Sequence, residues 1–186
     1  MRHELFGDLR YEPGDEIWTG AVRLRQFAAF GETGFEDEGE RRQRDDGMLP
    51  LTIRAAETGP TAQQEAAYRF LRDHEADVFR AALGALFESY KAYTDVPSPL
   101  SPFWKWLGGL LGAGPVESPE GLKTEAAFTG VEVTREPING VAYILFDVYC
   151  HWEPEHGMVI VYHKDRPATW TTVDALELES DANDAG

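Results

Sequence analysis

Residues 138–163, INGVAYILFDVYCHWEPEHGMVIVYH, decide the fold class of this chain. Asn139-Gly140 lies between two runs of strand-forming residues, Phe128 to Pro137 and Val141 to Trp152. An Asn-Gly pair accepts positive φ at both central positions of a tight turn, which makes it the strongest short-range hairpin signal. Glu153-Pro154-Glu155-His156-Gly157 then turns the chain into a further strand, 158–163, and Trp170 to Val173 adds a last one. In the middle run Ile144, Phe146, Val148, Cys150 and Trp152 alternate as an apolar face. Asp147, His151 and Glu153 lie on the other face, with Leu145 and Tyr149 among them. That period of two predicts a meander with one face on helices.

The helices precede it. Gly59-Pro60 ends one segment, and Thr61 with Gln64 three residues on is a capping-box pattern. Ala67, Phe70 and Leu71 make one apolar stripe; Val78, Phe79, Ala82, Leu83, Leu86 and Tyr90 make a second at three- and four-residue spacing. Asp73-His74-Glu75 interrupts them, predicting two packed helices within 61–93, with Gln64 and His74 as cap or surface groups. Further upstream, Leu5 to Tyr11, Ile17 to Phe27 and Leu49 to Ala55 read as strands, the first two joined through Pro13-Gly14-Asp15. Strands, then helices, then strands predict an α+β fold: an antiparallel sheet of N-terminal strands and C-terminal meander, packed against a central helix pair.

At 186 residues the chain suits one domain, of radius of gyration about 16 Å and with roughly 70% of its unfolded surface buried. We assign residues 1–176 to that domain, with 31–47 as a mobile charged loop and 177–186 as an acidic, disordered tail. The segment FWKWLGGLLG, with Phe103, Trp104, Trp106, Leu107, Leu110 and Leu111, reads as a short core-docking helix. A homodimer interface through Phe103, Trp104, Trp106 and Leu107 is the rival reading, because exposed apolar patches usually mark contacts.

The chain has 33 acids against 17 bases, a net charge of −16, and one cysteine. Excess acid disfavours nucleic acid, whose phosphates are bound by cations; the run Arg41-Arg42-Gln43-Arg44 is surrounded by acids that cancel its field. A single cysteine forms no internal disulfide, and MRHELFGDLR lacks the apolar core of a secretion signal, so a reducing cytoplasm is expected. No apolar run approaches the ~20 residues that span a bilayer. Half of the net charge falls in residues 121–186, beside the hairpin.

Cys150 to Gly157 is the one dense cluster of reactive side chains, and three chemistries can be built on it. A Cys150–His151 dyad requires both groups within hydrogen-bond reach, whereas neighbours on a strand diverge. A metal site would need His151, Glu155, His156 and His163. If 154–157 form the turn, His151 opposes Ile160 and His163 opposes Val148, which separates the two by ~10 Å on opposite faces. The third possibility uses Glu153, Glu155 and His156 as general acid and base. No nucleophile elbow, zinc-binding helix motif or phosphate-binding glycine loop accompanies them. Neither metal nor cofactor is therefore expected, and carboxylates at a turn more often shape the turn than catalyse.

Phe6-Gly7-Asp8-Leu9, Trp18-Thr19-Gly20, the Gln64 helix pair and Trp152-Glu153-Pro154-Glu155-His156-Gly157 occur in an order that resembles an uncharacterised bacterial domain-of-unknown-function family. That family carries an F-G-x-L / W-x-G opening and a W-[DE]-x-E-H-G hairpin, and the resemblance spans roughly residues 3–175. Its hairpin tends to have Asp where Glu153 stands, and 31–47 looks like an insertion. The resemblance marks Trp18, Trp152, Glu155, His156 and Gly157 without assigning them roles. It implies an association of the toxin-immunity or accessory-protein kind. The expectation is a non-catalytic module that binds a basic protein partner; a small hydrolase or metal-assisted enzyme on the Glu153/Glu155/His156 turn is the alternative.

Overall fold

In the computed structural model, residues 1–31, 47–94, 116–153, 155 and 157–173 are described. They include nine strands. A two-stranded ribbon pairs β1 (Arg2–His3) with β2 (Gly7–Asp8). A seven-stranded sheet contains β3 (Arg10–Glu12), β4 (Ile17–Arg23), β5 (Met48–Arg54), β6 (Ala126–Ile138), β7 (Val141–Cys150), β8 (Met158–His163) and β9 (Arg166–Thr172), in that spatial order. Helices α1 (Arg25–Ala28), α2 (Ala62–Asp73) and α3 (Glu75–Thr94) and a 3-10 helix, Pro119–Thr124, complete the described elements.

Mixed α and β content with a mostly antiparallel sheet agrees with the sequence. One junction does not: β5 and β6 run parallel, Leu51 opposite Val131. Two antiparallel halves, β3–β5 and β6–β9, thus join through a parallel pair whose connection contains α2 and α3. Parallel neighbours need such a crossover. The predicted strand from Leu5 to Tyr11 is also split between β2 and β3. The strand from Ile17 stops at Arg23, because Leu24 and Phe27, both with no exposed surface, enter the core at helical three-residue spacing.

The Asn-Gly turn forms as read, with Asn139 at φ 49° and Gly140 at φ 74°. β7 lies inside the sheet between β6 and β8, and its even residues face the helices: Phe27 stacks on Phe146 at 4.4 Å between centroids and meets Phe128 edge-on at 4.9 Å. Its other face is less polar than the alternation implied. Tyr143 and Leu145 join Val159 in a second small cluster, with Ile138 and Val161 packed on it. On that same face Arg54 holds Glu132 through two hydrogen bonds of 2.6 and 3.0 Å.

The helix pair divides at His74, as expected. Thr61 and Gln64 form the capping box, but Gln64 does more than cap. It is fully buried, and its Nε2 donates to the carbonyls of Arg54 and Thr134 at 2.8 and 2.9 Å. Those carbonyls follow directly on the last parallel partners, Ile53 and Val133, and β6 itself continues to Ile138. The Gln64 amide thus bridges β5 and β6 where their parallel pairing stops. No helix among the described residues is long and apolar enough to cross a membrane.

The mobile-loop assignment at 31–47 falls, from 32 to 46, outside the described residues. So do the FWKWLGG segment with Phe103, Trp104, Trp106 and Leu107, and the 177–186 tail.

Candidate functional site

The site-bearing turn starts where β7 runs out. Cys150 pairs with Ala126 on β6, whereas the pairing with β8 has already stopped at Val148 opposite Met158. The register differs from the one read from sequence, since Ile160 faces Phe146 and not His151, although β8 spans Met158–His163 as read. Residues 151–157 therefore form a longer connection than a four-residue turn. The reason lies in β6, which is long enough to pair with the end of β7 after β8 has left it.

This connection is tied down on both sides. His151 N donates to the Glu125 carbonyl at 2.9 Å, and its Nδ1 lies 3.3 Å from Glu125 Oε2. Trp152 turns back onto α3, edge-on to Tyr90 at 5.3 Å. Its indole nitrogen is buried with no hydrogen-bond partner among the described residues. Tyr90 is itself fixed, since the Val116 N–H donates to its hydroxyl at 3.1 Å. The Glu153 carboxylate bonds with the Tyr93 hydroxyl. Tyr93 in turn meets Trp170 of β9, with ring centroids 6.2 Å apart. Gly157, at φ 69°, supplies the backbone conformation that starts β8.

The groups singled out from sequence separate. His163 is buried at the far end of β8. Asp165 N donates to its Nδ1 at 3.3 Å, and its Nε2 contacts the Ile138 carbonyl at 3.1 Å. His151 is exposed at the opposite end of the β7–β8 pair. Among the described residues no three His, Cys, Asp or Glu side chains gather with metal-binding spacing. Glu155 is exposed; His156 and Pro154 lie outside the described residues. Trp18 is three strands away from β7, buried, with its Nε1 donating to the Ala56 carbonyl at 2.9 Å. It closes the core end of β4 and takes no part in the turn.

Cys150 is fully buried on the helix side of β7 while His151 points to solvent, so the dyad geometry is absent. Burial, reinforced by the Glu153 charge, pushes the thiol up to about 11, although the backbone N–H groups of Glu153 and Trp152 oppose the shift. A protonated buried thiol is a poor nucleophile. Native protein at pH 8 should resist iodoacetamide for hours and react within minutes once unfolded, read by intact mass. Rapid alkylation of the folded chain would refute the assignment.

Tyr93 shows the electrostatics most directly. Desolvation first, then the hydrogen bond and negative charge of Glu153, push its hydroxyl up to about 12. A tyrosine whose folded value exceeds its unfolded value of about 10 stabilises the fold fully below pH 10. That contribution disappears as pH rises from 10 through 12. Burial also raises Tyr68 and Tyr162, so ultraviolet titration near 295 nm should show several late tyrosines, of which Tyr93→Phe removes one at about 12 and Glu153→Gln shifts that one downward.

Tyr93, Trp170 and Glu125 were not marked by the sequence as site residues. Tyr90 and Tyr93 at three-residue spacing are the available signal, of which only Tyr90 falls in the apolar stripe.

The fold is that of an α+β domain with a large, mostly antiparallel sheet. Residues 30–174 match the family model described as a domain of unknown function (DUF6985), which covers more than half of the chain, so the protein belongs to that family. The matched span includes the helix pair and the 151–157 connection but begins after α1. No curated protein and no solved structure matches the chain.

Proposed function

We propose that the protein is a non-catalytic binding module that uses the acidic end of its sheet to engage a basic protein partner. One observation carries this reading. The His151–Glu125 contacts join the segment 116–125 to the 151–157 connection, and these two segments carry Glu117, Glu120, Glu125, Glu153 and Glu155. Lys123 is the single lysine or arginine of these two segments. On a chain of net charge −16, such a surface steers a cationic partner and raises its association rate. Masking a basic active surface, as an immunity or accessory protein of the cytoplasm would, is the form of this role that fits the charge.

The enzyme reading has less support. Glu153 is engaged by Tyr93, and the neighbouring thiol and imidazole diverge.

Capture from the native host tests the proposal. Wild-type protein should retain a basic partner at 50 mM salt and lose it progressively above 0.1 M, where screening acts over about 10 Å. A variant with Glu117, Glu120 and Glu155 changed to Gln should retain at least tenfold less of that partner. Equal retention by both proteins would overturn the proposal, as would a partner whose binding ignores salt.

A further inference from the structure

We infer that Asn139 is a self-modifying site, where the chain converts without an enzyme to aspartate and isoaspartate, and that the isoaspartate form releases a buried hydrogen bond of His163. The inference is independent of the proposed partner.

The chemistry starts from a neighbouring nucleophile. The Gly140 backbone nitrogen can close a small ring on the Asn139 amide carbon, and two groups held in one chain react as though at very high concentration. A bond forms between that nitrogen and Cγ, and the Cγ–Nδ2 bond breaks. Ammonia leaves with the former Gly140 N–H proton. Water then opens the succinimide. Addition at Cγ gives aspartate, and addition at the backbone carbonyl gives isoaspartate, with the main chain routed through the former side chain.

The β6–β7 turn presents both reacting groups. Asn139 and Gly140 are exposed, beyond the last strand pair of Ile138 with Val141. Among the described residues none bonds to the Asn139 side chain or to the Gly140 N–H, so neither group must first lose a partner. Space around Gly140 is open, since a Cβ there would meet nothing within 4 Å. Attack requires the turn to leave its resting geometry briefly. The φ of 49° at Asn139, unfavourable for an L residue, eases that departure, and exposed tips open at the low end of local unfolding free energies.

Isoaspartate adds one methylene to the main chain inside a two-residue turn. Turn type and length fix hairpin register, so the Ile138–Val141 pair shifts. The Ile138 carbonyl is also the acceptor of the His163 ring. Because the Asp165 N–H donates to Nδ1, Nε2 carries the ring proton, 3.1 Å from that carbonyl. His163 is only 2% exposed and packs on Tyr143, with ring centroids 5.2 Å apart. A displaced Ile138 carbonyl leaves this buried donor unpaired, and the change at the exposed tip reaches the interior.

The test ages full-length protein for several weeks at 37 °C and pH 8, beside a sample unfolded in urea, and digests both with trypsin. Cleavage after Arg135 and Lys164 releases the peptide 136–164, which contains no other asparagine and no glutamine. Mass spectrometry with chromatography should find two acid forms of it in the aged folded protein, isoaspartate in excess. Asn139→Gln, whose longer side chain moves the amide carbon out of position, should slow the conversion about a hundredfold. The His163 ring ¹⁵N signals should split in proportion to the isoaspartate fraction. They should stay single in Asn139→Asp, which has the new charge without the extra methylene. No acid form in the folded protein over a period that converts the urea sample would overturn the modification site. Unchanged His163 signals in protein that carries isoaspartate, or the same change in Asn139→Asp, would overturn the coupling.

Discussion

Replacing Gln64 with leucine should destabilise the protein by roughly 3–5 kcal/mol, the sum of several buried polar groups that lose their partners. The fully buried side chain donates to the Arg54 and Thr134 carbonyls and accepts from the Thr61 N–H at 2.9 Å. Leucine fills the volume but supplies none of these bonds. Gln64→Glu separates hydrogen bonding from shape. It keeps an acceptor for Thr61 but turns a carboxylate oxygen toward two carbonyl oxygens, which favours its protonated form in the folded state. A carboxyl raised in the folded state stabilises below its unfolded value, and that contribution fades as pH rises through the folded one. The gap between Gln64→Glu and wild type should therefore narrow on acidification from pH 7 to pH 5, while the Gln64→Leu gap stays constant. Parallel behaviour of the two variants in urea denaturation at both pH values would show that the amide bonds are not the cause.

Phe27→Ala should cost about 3–5 kcal/mol, the usual range for removing a fully buried phenylalanine. Phe27 has no exposed surface. It stacks on Phe146, meets Phe128 edge-on, and meets Phe79 of α3 edge-on at 5.1 Å. Its four-residue helix is joined to α3 a second time, where the Gln26 N–H donates to Glu75 Oε1 at 2.8 Å. The substitution thus opens a cavity at the point where the sheet, α1 and α3 meet. Phe27→Leu should lose less than half as much, since most of the volume remains. Near-ultraviolet circular dichroism should fall with the alanine variant before the far-ultraviolet signal does. An alanine variant within 1 kcal/mol of wild type would show that the site collapses around the deletion.

These two side chains also mark where sequence reading succeeded and where it failed. Thr61 and Gln64 announced a helix start, and the structure places it there. Nothing in the spacing of a capping box says that its glutamine will be buried between two strands, because that depends on which strands become neighbours. Phe27 ended a run that read as a strand; only the core position of Leu24 reveals the switch to helical spacing. The meander was legible since Asn139-Gly140 fixes its own geometry locally. The register after Cys150 was not, because apolar alternation continues to Trp152 while the pairing partner changes. For the candidate site, the acidic connection could be read from the chain. The Tyr93–Glu153 contact could not, since it joins a helix end to a turn sixty residues on.

The parallel pairing of β5 with β6 sets an order on how the molecule can be made. During synthesis β4 and β5 emerge long before β6, with both helices in between, so the open side of β5 waits without its neighbour. Contacts between such distant segments close slowly, and an unfilled strand border is a template for the wrong chain. The interval between the appearance of Arg54 and that of Val133 is the stage at which a nascent chain is most exposed to misassembly. Crowded expression or a slowed ribosome should increase aggregation there, before any sequence after β6 has an influence.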